Sequence, residues 1–347
     1  MEETGYTTRA AGGRLCAVST PVETALTQLL KIRTPLICGA MYPCSNPELV
    51  AAVSEAGGLG VVQPLSLMYV HGHDLRAGLK LIKARTAKPW GFNAIIQKMV
   101  KAYEDRMRAW IDVALEEGVA LIITALGDPR WVVERARQNN VPVFHDVINR
   151  EHALKARDAG VSGLICVNDR AGGHLGNKSP EQLYAELADL GLPLVCAGGI
   201  GAPADFSRAL GLGYAGVQMG TRFIATEECN VHADYKRAIV DAKPDDIVIT
   251  DKLDGVDCAV IRTPYFEKNG AKSGALARWL LSGRFTKRAV RLFYALNGLR
   301  TLKNAAAGGL SYRDVFQAGK SVGGVERVEP VAAVVARFHE AVLSQKA

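Results

Sequence analysis

Several things are missing from this sequence, and each absence removes a class of protein. No apolar run approaches the ~18 residues that a membrane-crossing helix needs. The chain starts MEETGYTTRA, with two acids and no apolar stretch, so a signal peptide is not expected. There are seven cysteines, an odd number, and no CxxC pair, which argues against a disulfide framework or a zinc site. No metal is expected, and a cytoplasmic location is. The Walker loop and HExxH are absent, which argues against the P-loop NTPases and the zincins.

The net charge is +7, but the basic residues are scattered. The densest group, Arg284, Lys287, Arg288 and Arg291, has helical spacing and no interleaved aromatics. That is the pattern of a solvated helix face rather than a nucleic-acid footprint. A basic mouth that attracts anionic substrates is the more useful alternative. Neither nucleic acid nor membrane is an expected partner.

What is present is a repeat. Eight short apolar or β-branched runs recur, each followed by a helical stretch: 35–41, 58–64, 89–96, 120–127, 141–147, 162–168, 193–200 and 215–221. Near-continuous apolar strands indicate a sheet buried on both faces. Their alternation with helices indicates parallel crossovers. Cys38, Cys166 and Cys196 fall inside such runs, where they act as small hydrophobes. Helix starts are readable at Ser45-Asn46-Pro47-Glu48 and at Asn149. Eight units fit an α/β fold of the (β/α)8 barrel type. A doubly wound open sheet is less suited, because CGAMYPCS after the first run holds no G-x-G-x-x-G.

The expected organisation is an N-terminal arm over 1–20, the barrel over 21–221, a capping insertion over 222–310 after the eighth strand, and a segment over 311–347 that closes the barrel. The insertion breaks the rhythm with NVHADYKRAIVDAKPDD, DIVITDKLDG and CAVIRTPYF. The last segment carries the glycine-rich QAGKSVGGVE and a helix.

Barrel enzymes place their chemistry at the C-terminal ends of strands. That rule selects Met41 and Tyr42, Gln63, Asn93, Thr124, His145 and Asp146, Asn168 and Asp169 with RAGGHLG, and the loops AGGIG and QMGTRF. A phosphate commonly sits between the loops after strands seven and eight. Here those loops offer Gly198, Gly199, Gly220 and Thr221. Glycine allows backbone N–H groups to approach a phosphate, and Thr221 adds a hydroxyl. Gly172 and Gly173 free the backbone to hold His174 over the mouth, where an imidazole can exchange protons near neutral pH. His71 and His73 read as loop residues. His145 can face either the lumen or the helices.

Taken together, PLICGAM, LVAAVSEAGGLGVV, GFN, HALKARDAGVSGLICVNDRAGGHLG, PLVCAGGIG and GVQMGTRF resemble the nitronate monooxygenase family, also known as 2-nitropropane dioxygenases. The FMN-dependent enoyl-ACP reductases are its relatives. The resemblance spans roughly 34–225, and QAGKSVGG adds a match near the C-terminus. It implies a TIM barrel with one non-covalent FMN. Met41 would then lie against the flavin ring, Asn93 would hydrogen-bond it, and Gly172 and Gly173 would pass beside it. Gly198, Gly199, Gly220 and Thr221 would hold the phosphate, Gln218 would sit near the flavin edge, and His174 would be the active-site histidine. Arg170 replaces a glutamate common in the family, and Lys320 stands in AGKS where AGQ is common; both add positive charge near the expected flavin.

The activity so implied is oxidation of an alkyl nitronate, an anion, with O2 to a carbonyl compound and nitrite. Two alternatives stand beside it: an NAD(P)H-dependent reductase of an enoyl thioester or quinone, and an FMN-binding module without turnover. Two copies could pair as a homodimer.

Overall fold

The computed structural model describes residues 20–97, 101–253, 255–272 and 315–346. The first nineteen residues, which make up nearly all of the expected arm, and the basic group Arg284, Lys287, Arg288 and Arg291 lie outside the described residues.

The eight runs become eight parallel strands. They are β1 (Leu36–Cys38), β2 (Leu59–Val62), β3 (Trp90–Ile95), β4 (Leu121–Ala125), β5 (Val143–Val147), β6 (Gly163–Val167), β8 (Leu194–Ala197) and β9 (Gly216–Met219). They close in the order β1-β2-β3-β4-β5-β6-β8-β9, with β9 pairing back to β1. This is a (β/α)8 barrel. Nearly every strand residue is buried, which is why the runs lack the polar alternation of a one-sided sheet.

Alternate residues serve two cores. Ile37, Leu59, Val61, Leu121, Ile123, Phe144, Ile165, Val195 and Ala197 form an inner cluster. Their neighbours, among them Cys38, Phe92, Ile122, Val143, Cys166 and Cys196, pack outward against the helices. Gly163 leaves space for the Phe144 ring inside the barrel, since a Cβ there would lie 2.5 Å from it. Fully burying a side chain of this size stabilises the fold by roughly 1.5–3 kcal/mol. Helix α1 (Ala25–Leu30) adds Leu26 and Leu30 to the same inner cluster and plugs the N-terminal end.

The crossover helices are α2 (Pro47–Glu55), α3 (Leu75–Arg85), α4 (Lys101–Glu116), α5 (Arg130–Arg137), α6 (Arg150–Asp158), α7 (Pro180–Leu187) and α8 (Pro203–Leu212). Asn149 caps α6 through a 2.9 Å bond from His152 N–H to its Oδ1. Asn46 occupies the N-cap position of α2 without capping it. Its amide instead reaches across to the chain after β9, donating to the Glu228 carbonyl and accepting from Asn230 N–H.

After β9 come α9 (Thr221–Ile224), α10 (Ala233–Asp241), β10 (Ile247–Thr250), β11 (Cys258–Ile261) and α11 (Pro264–Asn269). Strands β10 and β11 pair antiparallel. They are joined by β7, the dipeptide Gly173–His174 from the loop after β6. The last helix, α12 (Val331–Lys346), lies against α2 and α8, where the Phe206 and Phe338 rings meet at 5.9 Å. It fills the helix layer beside the β9–β1 seam.

Candidate active site

The candidate residues gather at one end of the barrel, on the loops that follow its strands. Three segments remote in sequence interlock there: the loop after β6, the turn after β8, and the short helical turn Lys320–Gly324 near the C-terminus. Gly319 N–H donates to Thr221 Oγ1 at 3.1 Å, and Lys320 N–H donates to the Arg170 carbonyl at 3.0 Å. A Cβ on Gly172 would sit 2.6 Å from Gly319 N, so the contact requires glycine. Gly198 and Gly199 have φ of +121° and +76°, values that disfavour any side chain. Asn168 is fully buried and knots β6 to β8. Its Nδ2 donates to the Gly198 carbonyl at 3.0 Å, and its Oδ1 accepts from Arg170 N–H at 2.9 Å.

Thr221 is thus already an acceptor within the protein, while its own proton stays available to a ligand. Its neighbour Arg222, 1% exposed, pairs with Glu329 at 2.5 Å and donates to the Arg327 carbonyl. Glu329 also takes two bonds from Arg337. Those bonds, with the charges of Arg337 and Arg222, hold its carboxyl down at about 2. The turn after β9 is therefore pinned to α12 by a charge cluster centred on the buried Glu329.

His174 lies on β7, where Cys258 of β11 pairs with it, and its side chain is exposed. The sequence reads Gly172 and Gly173 as freeing the backbone to place His174 over the mouth. The structure hydrogen-bonds that loop into the sheet formed by β10 and β11. Gly173 has φ +69°, and Gln317 reaches its far side.

Met41 follows β1, with its sulfur 3.2 Å from where a Cβ on Gly220 would be. Asn93 is buried on the inner face of β3 and donates to the Ile123 carbonyl. Gln218 packs on Gly39, and its Oε1 is buried without a hydrogen-bond partner. Among the wider candidates, Gln63 is used internally, because its Oε1 accepts from Leu65 and Ser66 N–H. His71 bonds the Pro43 carbonyl.

Strand 5 separates its two candidates. Phe144 faces the lumen, so His145 faces outward and Asp146 inward. Thr124 Oγ1 donates to the Phe144 carbonyl and lies 2.8 Å from His145 Nδ1. Since the hydroxyl has one proton, Nδ1 is the donor in that second contact. Burial lowers the His145 imidazole to about 4. Asp146 has no such partner. Its Oδ1 is buried and unbonded, and burial pushes the carboxyl up to about 7. The sequence names Asp146 at the strand end but gives it no role, because the parity of a five-residue run is ambiguous until Phe144 is placed.

Arg170 packs its side chain on Gly199 and lines a small space with Pro180, Cys196, Asp205 and Arg208. That puts the guanidinium on the outer side of the Gly198–Gly199 turn. Among the described residues, no helix is long and apolar enough to cross a membrane.

The comparisons agree with this geometry. A family model described as nitronate monooxygenase matches residues 23–339. The (3aS,4S,5R,7aS)-5-hydroxy-7a-methyl-1-oxo-octahydro-1H-indene-4-carboxyl-CoA dehydrogenase of Mycobacterium tuberculosis is 31% identical over 261 residues, covering 74% of this chain and 70% of that protein. A probable nitronate monooxygenase of Staphylococcus saprophyticus is 26% identical over 289 residues, covering 71% of this chain and 81% of that protein. The structure of FabK from Thermotoga maritima superposes with a TM-score of 0.76 at 28% identity, over 94% of this chain and 97% of that one. With a closed parallel barrel, a glycine-lined rim and a family match over most of its length, this chain belongs to the nitronate monooxygenase family and is an oxidoreductase of the flavoprotein class.

Proposed function

We propose that the chain is an FMN-dependent oxidoreductase with its active centre at the C-terminal mouth of the barrel. The observation that carries this reading is the pairing of the glycine rim at β8 and β9 with a mouth that leaves a buried Gln218 Oε1 without a donor. Left unbonded, a buried acceptor costs about 1–3 kcal/mol, so a ligand donor such as the imide N–H of a flavin suits it. The residues fit the cofactor. Gly198, Gly199, Gly220 and Thr221 would surround the phosphate, Gly172 and Gly173 would run beside the cofactor, and Met41, Asn93 and Gln218 would meet the ring. When bound, FMN supplies the electron transfer between substrate and acceptor.

The protein's own part is to bind and orient. His174, held by β7, would hydrogen-bond the substrate's anionic oxygens or take a proton from the carbon beside them. The first substrate reading is an alkyl nitronate oxidised with O2 to a carbonyl compound and nitrite, supported by the family match and by the probable nitronate monooxygenases. A second reading is chemistry on an acyl thioester: reduction with NAD(P)H as the electron source, or oxidation with the electrons passing through FMN to an acceptor. It is favoured by the higher identity to a dehydrogenase of a CoA thioester. The β10–β11 sheet against His174 would cap the substrate. The six described cysteines, all buried and none in a disulfide, suit a reducing cytoplasm.

Anaerobic mixing separates the readings. Bleaching of the flavin by a nitronate, followed by nitrite on admitting air, supports the first. Bleaching by NADH or NADPH alone, or by an acyl-CoA substrate, supports the second.

A further inference from the structure

On the outer side of β5 His145 has a protein partner, whereas Asp146 on the inner side does not. It sits two residues beyond Phe144 on the inner face of β5, next to Ile165 of β6 in the register. Ile123 on β4, Ile165 and Val167 on β6, and Val195 and Ala197 on β8 surround that part of the lumen with apolar side chains. The titratable neighbours turn away. His145 on the same strand points outward to Thr124. Cys166 on β6 packs in the outer layer, its thiol raised first by burial and only slightly by Asp146. No cation or hydrogen-bond donor reaches Oδ1.

We propose that Asp146 is the acid of the barrel mouth, a carboxyl that stays protonated and donates a hydrogen bond to an acceptor on the edge of the bound flavin. This rests on the FMN reading above. A carboxylate buried among apolar groups pays for lost hydration with nothing in return, so the neutral form is favoured. That agrees with its position near 7, for which burial is the sole cause. A ring seated over the mouth removes further water and shifts the balance in the same direction. The neutral acid then carries one O–H that needs an acceptor, and a flavin edge presents carbonyl and ring-nitrogen acceptors. Gln218, on β9 of the same barrel, has the complementary lack, an acceptor without a donor.

The test is FMN binding, followed by quenching of flavin fluorescence as FMN is added back to flavin-stripped full-length protein between pH 5.5 and 8.5. The native chain is compared with Asp146→Asn, which keeps a donor but cannot ionise. The FMN phosphate titrates alike in both, so the ratio of affinities isolates the carboxyl. The expected ratio is constant in acid and turns against the native chain above neutrality, by up to about tenfold per pH unit for one linked proton. Asp146→Leu, lacking the donor, is expected to bind FMN about tenfold more weakly in acid, the loss of one hydrogen bond. A ratio that does not change with pH, or one that favours the native chain in base, overturns the proposal for Asp146 and leaves the flavin reading standing. A native chain that binds no FMN at any pH overturns both.

Discussion

The inner and outer faces of the barrel rim solve the same problem in different ways. His145 and Asp146 are adjacent on β5 and both lose solvent. Outward, His145 has Thr124 at 2.8 Å and is held neutral, at about 4. Inward, Asp146 has no partner for its buried Oδ1, and burial pushes its carboxyl up to about 7. In the cluster of Arg222, Glu329 and Arg337, the buried Glu329 carboxylate pairs with the buried Arg222 and the more exposed Arg337. Outside the barrel, His145 and Glu329 both find protein partners. Inside, Asp146 and Gln218 each keep a buried oxygen without a protein partner.

This contrast can be broken or sharpened by substitution. The largest effect is expected at the mouth. His174→Ala should lower turnover by about 10²–10⁴-fold while FMN stays bound. Steady-state rates alongside flavin content check it, and loss of flavin with no other defect would mean that the role of His174 is misread. Next comes the outer cluster. Glu329→Ala leaves Arg222 buried and unpaired, and should cost about 3–5 kcal/mol in urea unfolding. Asp146→Asn should cost nothing at pH 8, since it removes an unpaired group. Equal losses for these two variants would erase the distinction between the faces. Gly199→Ala forces a side chain onto φ +76°, at roughly 1–2 kcal/mol. It should weaken FMN binding about tenfold, read by ultrafiltration of the flavin.

The smallest effects lie in pH, and the two neighbours should act in opposite directions. Asp146 has a raised folded value, so its contribution to stability is complete below the ordinary carboxyl range and is lost as pH rises through about 7. His145 has a lowered one, so its contribution is complete above the ordinary imidazole value and is lost as pH falls toward 4. Melting temperatures measured from pH 4 to 8 should therefore lose their alkaline slope in Asp146→Asn and part of their acid slope in His145→Asn.

Much of the fold was legible because burial on both faces writes each barrel strand as an apolar run. All eight runs became strands in the expected order. The glycines at 198 and 199 were legible as well, since their backbone angles exclude other residues. Less legible was what depends on distant chain segments. The β7–β11 pairing joins His174 to Cys258, and nothing local to RAGGHLG signals it. The turn at Gly319 and Lys320 meets Gly172 and Thr221 across some hundred residues or more, although QAGKSVGG stood out as a glycine-rich stretch. Asn46 looked like a simple cap and turned out to be a tether, because Glu228 and Asn230 offered its amide better partners. Nothing in RAGGHLG signals that the Arg170 side chain packs on Gly199.

The central claim is that this mouth holds FMN and passes electrons through it. The most direct measurement is the visible spectrum of the purified protein, with the released chromophore identified after denaturation and the holoprotein then mixed anaerobically with a nitronate, NADH and NADPH. The account predicts a yellow protein that releases FMN and is bleached by at least one of these donors. A colourless protein that takes up no added FMN would contradict it.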